Sequence, residues 1–339
     1  MATLKEIAKE AGVSIMTVSN VINGNYAKVS KETISNVQEI IKKYNYSPNL
    51  NARSLAKRSS KIIAIFVNTY FEHENVFKDP YLSELFGEVE CFIRSNGYYA
   101  IIQSVTDIEN ASTLLQNWNA DGAIFLSPQK EADMNQLIDR NSCPIVFIDS
   151  YNKSRSDSLI VGIDDYKGGY LATKHLIENG HRKIGFAGYY SKENSVVSQR
   201  LEGYRAAMEE HGIPIQDSYL IHTLTTYEAG MDIGKDLANH RNGITAVFAT
   251  ADLLALGIME GARLNGCMVP KDLSLVGFDN LELCSKITPK LTTVSQNVHN
   301  KAKTCVELLV NAIQKKELPN PRIICDVHLE VRETVKKLS

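Results

Sequence analysis

The chain has 339 residues, 44% of them hydrophobic and 22% charged, the balance of a globular protein with room for two or three domains. Its longest apolar run, residues 62–67, is far short of the roughly 20 residues that cross a bilayer, and no basic-then-apolar leader opens the sequence, so the reading is a cytoplasmic protein without a membrane partner. Six cysteines with no Cys-x-x-Cys pair read as reduced thiols rather than a disulfide frame or a zinc site, and no motif asks for a metal or cofactor.

The net charge of −2 conceals an asymmetry: residues 1–61 carry ten basic and four acidic side chains, a balance of +6, which leaves −8 on the remainder. A small basic head on a larger acidic body directs the head alone toward a polyanion. In that head, Thr3 and Glu6 form a capping box, and Leu4, Ile7, Ala8 and Ala11 keep helical spacing until Gly12 stops them. A second helix starts from Ser14 as N-cap and ends before Gly24; two helices joined by a short Gly-containing link have the spacing of a helix-turn-helix. A third, from Ser30, places Ile34, Val37, Ile40, Ile41 and Tyr44 on one face.

On the second helix Val18, Val21 and Ile22 share the buried side, whereas Met16 and Asn20 lie one turn apart on the opposite face, flanked by Thr17 and Ser19, with Ile15 at the core edge. One exposed Met is ordinary on any surface. The major groove of DNA gives this face a use: thymine methyls for Ile15 and Met16, a bidentate pair between Asn20 and adenine, and phosphate contacts from Ser14, Thr17 and the helix N-terminus. The helix-turn-helix spacing and the charge excess favour that reading. Ser47 and Pro48 then open a helix of about two turns, too short to hold in water alone, which forms only against a partner helix or DNA.

The runs Leu4–Ala8, Gly12–Ser14, Thr17–Gly24, Tyr46–Asn49 and Ala52–Leu55 resemble, in residue type and spacing, the lac repressor (LacI/GalR) family of bacterial regulators. The resemblance implies that Ile15, Met16 and Asn20 read operator bases while Ser14, Thr17 and Ser19 meet the backbone. It also implies that the hinge, through Asn51, Ala52, Arg53 and Leu55, enters the minor groove, where Leu55 wedges a base step open.

From Lys61 onward, short apolar runs at 62–67, 98–103, 122–127, 144–149, 159–163, 183–188, 244–250 and 272–278 alternate with amphipathic stretches. Such alternation specifies parallel sheets with helices on both faces, and the number of elements requires two sheets, dividing near residue 162. Ligands bind beyond the carboxyl ends of strands in open parallel sheets. Asn68, Thr69, Ser127, Asp149, Asp164, Tyr189, Tyr190, Thr250, Asp252 and Asp279 stand there, a set of acceptors and rings suited to a polyol. Asp164, Asp252 and Asp279 serve equally well as helix caps.

The resemblance continues through Asp164–Gly169, His175–Gly185, Arg200–Tyr204, Asp252–Gly257, Val276–Asp279, Leu291–Val294 and Val331–Thr334. It implies an α + α/β fold: a three-helix DNA-binding domain (1–46), a hinge helix and linker (47–60), and a two-lobed periplasmic-binding-protein-like α/β domain with parallel sheets (61–339). The lobes are expected at 61–161 plus 293–318 and at 162–290 plus 320–339. Arg200 and Asp279 become effector ligands in the second lobe, and Asp149 meets the effector from the first. Three departures from the family pattern stand out: Asp79-Pro80-Tyr81 after an insertion at 72–78, Ala251 at a position often polar, and Asp165 in place of a common Asn.

No phosphate loop, dinucleotide fingerprint, zinc-protease or nucleophile-elbow motif is present, so the chain does not read as an enzyme. It reads as a homodimeric repressor of a carbohydrate-utilisation operon that binds near-palindromic operator DNA under control of a sugar or sugar-phosphate effector. The alternative is a co-repressor mode, with a nucleobase or a phosphocarrier protein as co-regulator. No leucine heptad closes the sequence, which favours a dimer over a tetramer.

Overall fold

The computed structural model describes residues 2–46, 59–69, 75–126, 131–151, 155–190, 195–240 and 243–338, and the chain divides into two units between Ser60 and Lys61. Asn51, Ala52, Arg53 and Leu55 of the hinge, Ser127 of the cleft set and residues 70–74, with part of the insertion, lie outside the described residues.

The first unit holds α1 (Leu4–Ala11), α2 (Ile15–Ile22) and α3 (Lys31–Lys43). The capping box forms as the sequence requires: the Thr3 backbone N–H donates to Glu6 Oε2 at 2.7 Å, and Thr3 Oγ1 accepts from the Glu6 N–H at 3.3 Å. Gly12 takes the left-handed conformation (φ 66°) that ends α1 and lets its N–H reach the carbonyls of Ala8 and Lys9. Ile7, Ala8, Val18, Val21, Val37 and Ile40 close a small core. Tyr44, expected on the apolar face of α3, is instead its exposed C-cap; the chain turns at Asn45 (φ 45°) and Tyr46 packs against the core.

In the second unit, β1 (Ile62–Asn68), α4 (Pro80–Ser95), β2 (Tyr99–Val105), α5 (Ile108–Trp118), β3 (Gly122–Leu126), α6 (Glu131–Arg140), β4 (Ile145–Ile148) and β5 (Leu159–Ile163) build the first lobe. The chain then crosses over. The second lobe follows with α7 (Asp165–Glu178), β6 (Ile184–Gly188), α8 (Val196–Glu210), β7 (Leu220–His222), α9 (Tyr227–Asn239), β8 (Ala246–Ala249), α10 (Asp252–Leu264), β9 (Ser274–Asp279) and β10 (Thr292–Ser295). It crosses back into α11 (Val298–Ile313) and β11 (Arg322–Cys325), and a third time into β12 (His328–Glu330). The sheets run β11-β5-β4-β3-β1-β2 and β12-β10-β9-β8-β6-β7, so the two lobes repeat one strand order.

The crossings fall at places the sequence did not mark. Residues 293–295, expected in the first lobe, pair with β9 in the second, so the return begins at Gln296. β11, expected in the second lobe, pairs with β5 in the first. β12 runs antiparallel to β10, against the expectation of parallel strands, because two residues between β11 and β12 leave no room for the chain to reverse. β7, β10, β11 and β12 are only three or four residues long and, unlike the equally short β4 and β8, do not sit within a longer apolar run.

Both sheets are buried on both faces, with Ile63, Ile65, Phe66, Ile124 and Phe147 in the first and Phe186, Phe248, Val276 and Phe278 in the second. α7 and α8 meet through glycine: a Cβ on Gly169 would stand 2.1 Å from the carbonyl oxygen of Arg200, and one on Gly203 2.0 Å from that of Tyr166. Only glycine permits this backbone approach.

Candidate DNA-reading helix and ligand cleft

The outward face of α2 is uncommitted. Met16 is 74% exposed and Ile15 48%, whereas Val18 and Val21 are buried. Asn20 is half-buried, and its side-chain amide makes no hydrogen bond among the described residues. Ser14 Oγ caps the helix, accepting from the Thr17 N–H at 3.1 Å and lying 2.9 Å from Thr17 Oγ1; Ser19 Oγ accepts from Asn23 Nδ2 at 3.3 Å. A short α-helix presenting an amide and two apolar side chains, with its N-terminal hydroxyls close by, has the composition of a major-groove reader.

In the second unit, Arg200 on α8 is the centre of one buried group. Its Nε donates to Asp165 Oδ1 at 2.7 Å, its Nη1 to the Thr250 carbonyl at 2.6 Å, and its guanidinium carbon sits 3.6 Å from the centroid of the Phe278 ring. Nη2 makes no hydrogen bond among the described residues. Tyr151, from the first lobe, donates to Asp165 Oδ2 at 2.5 Å. Burial opposes the Arg200 charge, but Asp165 and Asp279 outweigh it and its hold on the proton rises. Burial also lifts the Asp165 carboxyl above the usual range, although Arg200 pulls the other way.

Asp149 directly follows β4 and Asp279 is the last residue of β9, one per lobe, and both stand on positive-φ backbone (57° and 125°). Aspartate enters the left-handed region near 57° readily, but φ 125° is sparsely populated for any non-glycine residue and is held only where the surroundings impose it. Between these two carboxylates lies Lys301 of α11, which is fully buried. Its ammonium is 2.5 Å from Asp149 Oδ1, donates to Oδ2 at 2.7 Å, and reaches the Tyr81 hydroxyl at 2.8 Å and Gln296 Oε1 at 3.1 Å. Tyr81 OH in turn donates to Asp149 Oδ2 at 3.1 Å, and Gln296 Nε2 donates to Asp279 Oδ1 at 2.6 Å. A polar chain thus runs from one lobe's carboxylate to the other's. Burial first, and then the neighbouring Asp252, raise the Asp279 carboxyl well above its ordinary range. Asp252 is pushed up to about 6 by burial, opposed by hydrogen bonds from Thr293 Oγ1 and the Leu281 N–H.

Of the residues expected in the cleft, Asp149, Arg200 and Asp279 are brought together. Thr250 is not available through its hydroxyl, which turns into the sheet to donate to the Ala187 carbonyl at 3.0 Å; only its backbone oxygen meets Arg200. Tyr189 is half exposed and packs on His222, with ring centroids 4.9 Å apart. Asn68 and Thr69 end β1, where the Thr69 N–H is spent on the Val105 carbonyl. Asp164 is the cap it was suspected to be, accepting from the Lys167 N–H at 2.8 Å, whereas Asp252 is the first residue of α10 and Ala251 occupies the cap position. Tyr81, Tyr151, Asp165, Gln296 and Lys301 join the site without having been singled out as ligands. Lys301 had a signal: it interrupts the apolar stripe Val298, Ala302, Cys305, Leu309 on α11.

No group of three or more His, Cys, Asp or Glu among the described residues is placed to hold a metal ion, and no described helix is long and apolar enough to cross a membrane. All six cysteines are free thiols.

A helix-turn-helix unit with an unused reading face, joined to a two-lobed α/β unit with buried charge between its strand ends, defines a class of DNA-binding regulator carrying a binding-protein body. Residues 3–49 match the bacterial regulatory proteins of the lacI family, and residues 173–335 match the periplasmic binding protein-like domain. The HTH-type transcriptional repressor PurR of Vibrio parahaemolyticus and the ribose operon repressor of Haemophilus influenzae are each 32% identical to this chain over 346 residues, with all of both chains covered. The solved complex of the transcriptional regulator CelR with cellobiose matches with a TM-score of 0.73 at 28% identity, covering 98% of this chain and 100% of that one. The chain belongs to the lacI family: it is a DNA-binding transcriptional repressor.

Proposed function

We propose that this repressor controls a carbohydrate-utilisation operon and that a small sugar or sugar phosphate, bound between the two lobes, sets its operator affinity. It acts in the cytoplasm as a homodimer on a near-palindromic operator, with two α2 helices about 34–36 Å apart. Ile15, Met16 and Asn20 read bases, Ser14, Thr17 and Ser19 meet the backbone, and Asn51, Ala52, Arg53 and Leu55 of the 47–60 hinge meet the minor groove. The effector is held by Arg200 and Asp279 of the second lobe, with Asn68, Thr69, Ser127, Asp149, Tyr189 and the Thr250 carbonyl around it.

The observation that carries the reading is the buried Arg200, stacked on Phe278 with one guanidinium nitrogen left over, beside the Asp279 carboxylate. Donor and acceptor side by side over an aromatic floor suit vicinal hydroxyls. The printed names of two relatives, a ribose operon repressor and a regulator in complex with cellobiose, support the same ligand class. By linkage, an inducer that weakens operator binding must itself bind the operator complex less tightly.

The test is thermal unfolding of the full chain against sugars, sugar phosphates and nucleobases, followed by operator binding with and without each hit. A ligand at 100 times its Kd adds about 2.7 kcal/mol of stability. A hit among the sugars or their phosphates that also changes operator affinity supports the proposal. A response to nucleobases alone, or to nothing in the panel, overturns it.

A further inference from the structure

Lys301 is a cation in the core with no exposed surface, and it takes up the carboxylate through which the first lobe would meet an effector. Its three N–H donors have three acceptors: Asp149 Oδ2, the Tyr81 hydroxyl and Gln296 Oε1. None remains for a ligand. Asp149 Oδ1, by contrast, is buried and has no hydrogen bond of its own, although the ammonium lies close to it. Asp149 and Lys301 therefore form an ion pair of zero net charge, with Asp149 Oδ1 left without a hydrogen bond.

Arg200 is paired in the same way with Asp165. Among the described residues, Asp79, Asp252 and Asp279 are further carboxylates of this region. None of the three makes an ion pair among the described residues, and each is satisfied by neutral donors: the Tyr81 and Leu82 N–H groups, Thr293 Oγ1 with the Leu281 N–H, and Gln296 Nε2. An incoming phosphate or carboxylate would enter a low-dielectric site whose two cations among the described residues, Lys301 and Arg200, are already engaged by carboxylates.

Resting on the sugar-effector reading above, we propose that Lys301 is a specificity-determining residue: as the permanent counter-ion of Asp149 it makes the site select an uncharged polyol and reject the phosphorylated form. Its bond to Gln296, which holds Asp279 in place from the other side, makes it a positioning residue for the second lobe's acceptor as well.

The experiment compares neutral pentoses, hexoses and cellobiose with their phosphate esters by calorimetric titration of the full chain, and then repeats the comparison in Asp149→Asn, Lys301→Met and the double variant. Wild type should prefer the neutral sugar by on the order of tenfold or more. Asp149→Asn leaves the ammonium without its carboxylate, so the phosphate ester should gain at least about tenfold relative to its parent sugar. Adding Lys301→Met should erase that gain, because the pair is neutral again. A purely structural role would lower all affinities together and leave the ratio fixed, which would overturn the proposal. So would a wild-type protein that binds the phosphate ester at least as tightly as the sugar, an outcome that leaves the sugar-regulated repressor itself standing. Should Lys301→Met not fold, Asp149→Asn against wild type still decides, since it keeps the buried volume.

Discussion

Gly203, where α8 meets α7, is a place where one methyl group should have a large effect. In Gly203→Ala the new Cβ would lie 2.0 Å from the Tyr166 carbonyl oxygen and 2.6 Å from the Tyr170 nitrogen, both main-chain atoms that cannot swing aside. Restoring ordinary contact requires α7 and α8 to part by roughly 1 Å or more. Arg200 lies one turn before Gly203, so its 2.7 Å bond to Asp165 on α7 would stretch beyond hydrogen-bonding distance. Overpacking costs about 1–3 kcal/mol and weakening a buried charged hydrogen bond about 1.5–3 more, while the higher helix propensity of alanine returns about 1. The net loss, roughly 1.5–5 kcal/mol, corresponds to a fall in Tm on the order of 3–10 °C for a unit of this size. Gly87→Ala on α4 is the control, because nothing lies within 4 Å of its added Cβ. It keeps the propensity gain without the clash and should raise Tm by a few degrees. Differential scanning calorimetry of both variants decides: a Gly203→Ala protein melting within 2 °C of the parent would show that the helices have slack and refute the reasoning.

Asp252, held near 6 against an ordinary 3.8, keeps a proton in the folded chain that the unfolded chain has already released, so its contribution to stability is present below about 4 and lost as pH rises through about 6. The full swing is roughly 3 kcal/mol. Asp252→Asn, whose amide Thr293 can accept, should flatten the decline in Tm between pH 4 and 7.5; parallel curves for parent and variant would count against the burial argument. Asn20→Ala should cost about 1–3 kcal/mol of operator affinity and relax selectivity at one base pair per half-site. Fluorescence anisotropy across single-base operator variants at fixed salt reads this, and a loss uniform over all sequences would assign Asn20 to packing or phosphate contact instead.

Local chemistry was legible in the sequence wherever cause and effect lie within one turn of helix. The Thr3–Glu6 box, the Gly12 stop and the Ser14 cap need only three- and four-residue spacings, and the strands β1–β6, β8 and β9 show as apolar runs rich in β-branched and aromatic residues. The site depends on sequence-distant neighbours. Asp149 and Lys301 are 152 residues apart, Tyr81 and Lys301 220 apart, and nothing in either stretch announces its partner. Arg200 and Asp279 were anticipated through family resemblance, whereas Asp165 was noted only as a departure, and its pairing with Arg200 emerges from the α7–α8 packing. Thr250 was placed correctly at a strand end but with the wrong atom outward, because the strand pattern fixes which face a residue takes, not which hydrogen bond its hydroxyl prefers.

The triple crossing between lobes also governs how the chain can be made. β5 in the first sheet has β11 as its outer neighbour, and α11 packs against the same lobe, yet both come from residues 298–325. A ribosome adding about 5–20 residues per second needs on the order of ten to thirty seconds to pass from one to the other. During that interval the outer edge of Leu159–Ile163 has no strand to pair with and the face that α11 covers stays open, while the second lobe folds downstream. A stalled or truncated product ending before residue 322 would keep that edge open permanently, making it the place where nascent copies adhere to one another.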